Sequence, residues 1–333
     1  MDRIFQLESA ESIKETIVQV KRMALLALHN YDLDWTQIRF NQLSDTATFI
    51  VETNVDGTFL LRIHSEMKKE AIDSELVWLE SLYDKLKIVP LGIVDRNGSR
   101  TVTIDRGDGY YAHASLMRWV EGAHVNSGIT EGQAFKEGIL LANLHSVAQD
   151  FEVPSNFERP VWGEQSFKEA TTQLADYYHY FLTDAEYKLY RLAIEKVLCW
   201  FNTIHKNGQN YGLIHGDLHQ GNIVFHDGNP RPIDFGRCGF GYFLYDVAHA
   251  ILGLHPLQRE LVVKGYQSIR DLEENWLPAL ESFSVMVMIE DYCHHAPDPR
   301  ETKGLKEEQP YAQAILRNYL NGSPFLFNHI HLN

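Results

Sequence analysis

His215-Gly216-Asp217-Leu218-His219-Gln220-Gly221-Asn222 is followed, twelve residues after its asparagine, by Asp234-Phe235-Gly236. The first stretch sets a carboxylate and a carboxamide five positions apart in a glycine-bearing loop, ahead of the short apolar run Ile223-Val224-Phe225. Asp227-Gly228-Asn229 then reads as a hairpin turn leading through Pro232-Ile233 to the second carboxylate. A loop of this kind can hold a proton-accepting carboxylate and oxygen ligands for a hard divalent cation on one rigid frame. The hairpin is expected to turn Asn222 and Asp234 towards the same cation.

The order and spacing carry the argument. In kinase-type phosphoryl transfer an aspartate accepts the proton of the acceptor hydroxyl, and an asparagine a few residues on binds a magnesium ion. A second carboxylate, in Asp-Phe-Gly, binds metal after the next strand. A polar surface turn followed by an unrelated Asp-Phe-Gly would not require all three features in sequence.

Around this segment the chain is ordinary in composition. Its 333 residues are 44% hydrophobic and 23% charged, enough for two lobes with separate cores and too apolar for disorder. The net charge of −15 argues against a nucleic-acid partner, which needs a basic face, and suits a neutral or cationic acceptor. No window is apolar enough to span a membrane, and Met1 to Ser12 carries Asp2, Glu8 and Glu11 where a signal peptide would be basic and apolar. A cytoplasmic location without membrane attachment is expected. Cys199, Cys238 and Cys293 are too scattered for a metal or disulfide framework and read as reduced thiols.

Outward from the loop, the first third is β-rich. Apolar positions Ile13, Ile17, Val20, Ala24, Ala27 and Leu28 predict an opening helix, with Ser12 and Glu15 as a capping box. Strands follow at Trp35 to Phe40, Thr46 to Thr53 and Thr58 to Ile63, the last two joined by a turn at Asn54 to Gly57. Helical spacing returns from Glu66 to Leu86, before strands at Val89 to Val94 and Ser115 to Trp119. Past Glu121-Gly122, helices are expected at about 131–148, 164–180, 184–207, 257–273, 275–295 and 308–320. The expectation is an α+β, protein-kinase-like, two-lobed fold. Residues 1–120 would be an antiparallel-sheet nucleotide lobe with a leading helix, and 121–333 a larger helical lobe for catalysis and acceptor binding.

The His-Gly-Asp-Leu-His segment with its following Asn resembles the aminoglycoside and choline phosphotransferase family, small-molecule relatives of the protein kinases. The resemblance implies that Asp217 is the catalytic base, that Asn222 and Asp234 bind Mg2+, that His215 is structural, and that Asp246 braces the loop. It extends to Phe59-Leu60-Leu61-Arg62-Ile63, which matches the strand bearing the kinase phosphate-binding lysine, here Arg62, with Glu75 on the next helix as its ion-pair partner. Leu43 to Thr48 falls where a phosphate-covering loop should be. It lacks the glycines, leaving Ser44, Thr46 and backbone amides as donors. Leu116 to Gly122 is similar to the family's hinge, with Met117 and Trp119 at the nucleotide base.

ATP and Mg2+ are the implied cofactors, and a small-molecule hydroxyl, possibly cationic, the implied acceptor. Leu-Arg-Ile-His in the small lobe leans towards the homoserine-kinase-like and bacterial stress-kinase-like branch, so a protein serine or threonine acceptor stands as the alternative. A nucleotide-binding pseudokinase is the non-enzymatic rival. Residues 257 to 295 are expected to wall the acceptor site, with Glu290, Asp291 and His294 as candidates. Adjacent His294-His295 and the pair His329 and His331 do not complete a zinc ligand set.

Overall fold

A computed structural model describes Phe5 and residues 10–64, 67–107, 109–125 and 128–330. The chain divides into two units, Met1–Glu121 with Glu152–Arg159, and Gly122–Phe151 with Pro160–Asn333.

In the first unit, helix α1 (Ala10–Leu28) buries Val20, Ala24, Ala27 and Leu28, one face at helical spacing. The helix already begins at Ala10, so Ser12 and Glu15 lie inside it and do not form the expected capping box. Strands β1 (Trp35–Leu43), β2 (Thr46–Thr53) and β3 (Thr58–His64) form two successive hairpins. Helix α2 (Lys69–Leu86) follows; its expected start at Glu66 lies outside the described residues.

The expected strand over Val89–Val94 shrinks to β4 (Gly92–Ile93). Pro90 has no amide proton to pair, and Asp95 folds the chain back by accepting from the Asn97 and Ser99 amides, both at 2.8 Å. A short strand the sequence reading missed, β5 (Val102–Asp105), pairs with β6 (Tyr111–Arg118). The antiparallel sheet runs β1-β2-β3-β6-β4, with β5 also on β6. Alternation sends Phe49, Val51, Leu61, Ile63 and Leu116 into the core under α1. The opposite face carries Thr46, Thr48, Leu60, Arg62, Ser115 and Met117, placed side by side by the pairing register.

The second unit is mainly helical: α3 (Glu131–Asp150), α4 (Glu164–Tyr177), α5 (Asp184–Phe201), then β7 (Tyr211–Ile214), β8 (Ile223–His226), β9 (Asn229–Pro232) and β10 (Gly239–Tyr242). Helices α6 (Phe243–Leu252), α7 (Pro256–Gln267), α8 (Trp276–His295) and α9 (Thr302–Asn321) complete it. Expected helix ends beyond Phe201 and Gln267 are loop. The helix expected at 184–207 stops at Phe201, and the segment beyond it folds into a turn at Asn207, which accepts from the Gln209 amide at 2.8 Å. Hairpin β8-β9 turns through Asp227 and Gly228 at φ +49° and +70°, the twist that two-residue hairpins favour.

Helices α3 and α7 touch backbone to backbone. A Cβ on Gly138 would lie 1.9 Å from the Val262 carbonyl oxygen, and one on Gly265 2.0 Å from that of Phe135. Gly138→Ala must therefore push the helices apart, and equilibrium urea unfolding should show a loss of about 3 kcal/mol, the upper end for overpacking. A loss under about 0.5 kcal/mol would mean the helices do not pack this closely.

Candidate active site

Asp246, on the first turn of α6, is completely buried and organises the loop. Its Oδ2 accepts the His215 amide at 2.6 Å and its Oδ1 the Gly216 amide at 2.7 Å. The same Oδ2 lies 3.2 Å from His145 Nε2, while His145 Nδ1 lies 2.9 Å from the Tyr266 hydroxyl. Burial holds the His145 ring below its ordinary range and therefore neutral. Nε2–H donates to Asp246 and Nδ1 accepts from Tyr266, which fixes the tautomer. Burial alone would raise the Asp246 carboxyl, but the His145 contact and the Gly216 amide outweigh it and hold Asp246 below the usual carboxylate range. The His215 ring faces Phe235 at 4.4 Å and donates from Nε2 to the Ile233 carbonyl oxygen at 3.0 Å. These bonds tie the loop to the Asp-Phe-Gly segment.

Between His215 and Asp217 the backbone turns through Gly216 at φ +79°, where a Cβ would sit 2.4 Å from the Arg237 carbonyl oxygen. Asp217 is then presented partly exposed, its Oδ1 3.8 Å from His249 Nδ1 and 4.0 Å from His219 Nε2. Asn222 is buried, and its Nδ2 donates to the Asp217 carbonyl oxygen at 2.9 Å. That orientation leaves Asn222 Oδ1 without a protein donor. The Ile233 amide donates to the Asn222 carbonyl oxygen at 2.9 Å, so the residue before Asp234 lies beside Asn222. Asp234 is exposed, in the left-handed region at φ +59°, and accepts one long bond of 3.4 Å from the Gly236 amide.

Two hard oxygen donors with little protein bonding fit a divalent cation of the Mg2+ kind. Among the described residues no group of three His, Cys, Asp or Glu is arranged to hold a metal ion. Mg2+ suits such a partial ligand set, because it keeps waters and phosphate oxygens in its shell. His294 and His295 stand edge to face at 5.0 Å, and His331 lies outside the described residues.

Beneath the loop, Glu137 of α3 is buried and accepts from Gln220 Nε2 at 2.8 Å through Oε2, while its Oε1 has no partner. Burial pushes Glu137 up from 4.5 to about 7, with the Gln220 bond opposing. Between those values the folded state keeps a proton that the unfolded chain has released, so stability falls as pH rises through the window. Glu137→Gln should keep the Gln220 bond, remove this loss and stabilise the protein by roughly 2–3 kcal/mol above pH 8. Unfolding free energies of wild type and variant at pH 5 and pH 8.5 check this: the gap should open only at the higher pH.

In the first unit, Arg62 of β3 and Glu75 of α2 form a buried two-pronged pair, Nη1 to Oε1 and Nη2 to Oε2, the latter at 3.3 Å. Arg159, in the returning segment, adds a second cation 3.9 Å from Glu75 Oε2 and bonds the Ala71 carbonyl oxygen at 3.1 Å. Nothing in the sequence pointed to Arg159, because its partner lies 84 positions earlier. Thr46 and Met117 share the Arg62 face of the sheet, where Ile50 pairs with Leu60 and Leu60 with Met117. Ser44 is exposed at the β1-β2 turn, its amide bonded to the Thr46 carbonyl oxygen at 3.1 Å. Trp119 lies just past β6, 40% exposed, with its amide already donated to the Thr58 carbonyl oxygen at 3.0 Å. Its backbone N–H is thus engaged within the sheet, and its side chain is partly exposed.

A buttressed aspartate, an oriented asparagine and an Asp-Phe-Gly carboxylate define a phosphoryl-transfer enzyme of the kinase type. The model of the phosphotransferase enzyme family matches residues 36–277, and the chain belongs to that family, whose members phosphorylate hydroxyl groups. An uncharacterized Synechocystis protein is 28% identical over 77% of this chain and 73% of its own length. The solved structure of a microcompartment-associated aminopropanol kinase is 25% identical, with a TM-score of 0.76 over 92% of this chain and 99% of that one. An amicoumacin kinase in complex with AMP-PNP, Ca2+ and Ami superposes equally, TM-score 0.76 at 18% identity, covering 93% of this chain and 96% of that one. The fold is accordingly the α+β, kinase-like one the loop motif implied. Among the described residues no helix is long and apolar enough to cross a membrane.

Proposed function

We propose that the chain transfers the γ-phosphoryl group of ATP, with Mg2+, to a hydroxyl of a small molecule. The observation that carries this reading is the Asp217 loop, held by Asp246 through two amides while Asn222 turns its oxygen free. Asp217 takes the proton of the acceptor hydroxyl, and Asn222 and Asp234 hold the metal. Mg2+ and ATP, when bound, supply charge neutralisation at the phosphoryl oxygens and the group to be transferred.

Residues 1–120 serve the nucleotide. Arg62, kept in one geometry by Glu75, offers positive charge to phosphate, with Ser44 and Thr46 as hydroxyl donors and Met117, Trp119, Ile50 and Leu60 as an apolar shelf for the base. Residues 121–333 serve catalysis and the acceptor. The named activities of the similar structures, an aminopropanol kinase and an amicoumacin kinase, favour a small-molecule acceptor over a protein one.

The test is transfer of label from [γ-32P]ATP with Mg2+ to a library of hydroxylated small molecules, run beside casein and the protein itself. Labelled small molecules are the expected result. Label on protein alone would make it a protein kinase, and ATP binding without transfer to anything would make it a scaffold; either overturns the reading.

A further inference from the structure

The β7-β10 ribbon has two ends. At one, Ile214 pairs with Gly239 and the chain runs on into the catalytic loop; at the other, Tyr211 pairs with Tyr242. Against the Tyr242 end, within the second unit, lies a cavity of about 690 Å3 to which neither the 215–222 loop nor Asp234 contributes. Its lining is aromatic. Tyr242 and Phe283 are buried with ring centroids 5.4 Å apart, and half-buried Trp200 stands edge to face on Phe283 at 4.9 Å. Half-buried Trp276, the first residue of α8, completes the set.

The polar side of the cavity is acidic, with Glu273 and Glu274, and the first of these is held in place. Glu273 Oε1 accepts from Asn207 Nδ2 at 2.8 Å and from Asn210 Nδ2 at 3.1 Å. The two asparagines lock each other: Asn207 Oδ1 accepts the Asn210 amide at 3.1 Å, and Asn210 Oδ1 the Asn207 amide at 3.0 Å. The Asn210 carbonyl oxygen accepts the Phe243 amide at 2.9 Å, which ties this corner to the start of α6, the helix of the loop brace Asp246. Both donors to Glu273 fall on one oxygen, and its Oε2 accepts from no described residue.

Among the described lining residues there is no Lys or Arg. Two cations close by are engaged elsewhere. Arg270 bonds Gln149 Oε1 at 2.6 Å and the Gln209 carbonyl oxygen at 3.1 Å, and Lys206 lies over the Tyr211 ring at 4.3 Å. Tyr211 meets Tyr242 edge to face at 5.3 Å, so an ammonium of the chain itself already sits on this aromatic cluster. Electron-rich ring faces beside an immobilised carboxylate attract a cation, and more strongly where one side is shielded from water.

We propose that this cavity is a second ligand site, separate from the catalytic loop, for a small organic cation with an apolar body. The charge sits against Glu273 Oε2, and the body lies on Trp200, Trp276 and Phe283. The proposal goes beyond phosphoryl transfer and holds whichever acceptor the loop serves.

The probe is benzyltrimethylammonium, which has no hydroxyl to phosphorylate, set against neutral N-benzylacetamide and the phenylmethanesulfonate anion. Binding to the full chain at pH 8, where a histidine such as His205 on the rim is normally neutral, is read by calorimetry and by tryptophan fluorescence. The cation should bind roughly tenfold more tightly than N-benzylacetamide, the size of one good cation–π contact, and change tryptophan emission; the sulfonate should not bind. Glu273→Gln keeps an oxygen for both asparagines, and Trp276→Leu keeps apolar bulk without the ring. Each should weaken the cation roughly tenfold, and thermal melts establish that both variants fold. Asp291→Asn, in the separate cavity beside His219, should leave binding within twofold. Equal affinity for cation and neutral compound, or no binding of the cation, overturns the inference. So does binding lost in Asp291→Asn and kept in Glu273→Gln, which would put the cation at the catalytic loop. A basic peptide that binds through Glu273 where the probe does not would also overturn it, in favour of a protein partner.

Discussion

Asp217→Asn should lower kcat by about 10²–10⁴, the range expected when a general base is removed, and leave the KM for ATP nearly unchanged. The substitution is close to isosteric, and the loop does not depend on the lost charge. Asn222 donates chiefly to the Asp217 backbone carbonyl at 2.9 Å and only weakly to its carboxylate at 3.4 Å. The braces on the loop come from Asp246, to the amides of His215 and Gly216. A carboxamide at 217 still accepts a hydrogen bond, so it can orient the acceptor hydroxyl but cannot take its proton. A fall of tenfold or less would assign Asp217 an orienting role alone, and a rise in the ATP KM equal to the loss in kcat would place it on the nucleotide. Removing its charge also relieves Asp291, for which Asp217 is the second influence after burial. Thermal melts at pH 7.5 should therefore show no loss of stability.

The loop was legible because its chemistry is local: base, amide and carboxylate lie within twenty residues and flank a hairpin whose turn residues announce themselves. Strands β2 and β3 were legible for a similar reason, each alternating between the α1 core and the Arg62 face. What supports the loop was harder to see. Helix α6 buries Phe243, Tyr245, Asp246, Val247, Ala248, His249, Ala250 and Ile251, so its polar residues lie inside and do not mark a solvent face. The resemblance supplied Asp246 from its motif, but His249, one turn further on, had no signal. His145 and Glu137 sit on α3 in a run expected only to be a helix, and their partners are distant in sequence. The last helix, expected at about 308–320, begins at Thr302 as α9 and carries Pro310 inside. Strand β5 is four residues long after a polar stretch, too short for alternation to stand out.

Asp246→Ala should cost roughly 3–5 kcal/mol of stability, the range for breaking a buried, fully bonded charge. It should also reduce transfer as far as Asp217→Asn does, though Asp246 touches no reacting atom. The deletion strands the His215 and Gly216 amides and the His145 Nε2–H in a site where Asp246 is completely buried and water has no evident room. Each orphaned donor costs about 1–3 kcal/mol, and loss of the carboxylate's own desolvation cost offsets part of the sum. Asp246→Asn separates the two effects. Its oxygen can satisfy one amide, but its NH2 must face the other, so the loop shifts while packing volume is kept. Activity should then fall with a smaller stability loss than in the alanine variant. The pH dependence gives a further discriminant. Because Asp246 is held below the usual carboxylate range, its contribution is present throughout neutral pH and is lost only as acid protonates the folded state. The stability gap between wild type and Asp246→Ala should stay constant from pH 8 to 6 and close as the pH falls below the ordinary carboxylate range. A gap that shrank as the pH rose through the ordinary histidine range would mean that a charged His145 carries the interaction, against the neutral hydrogen bond that burial of its ring implies.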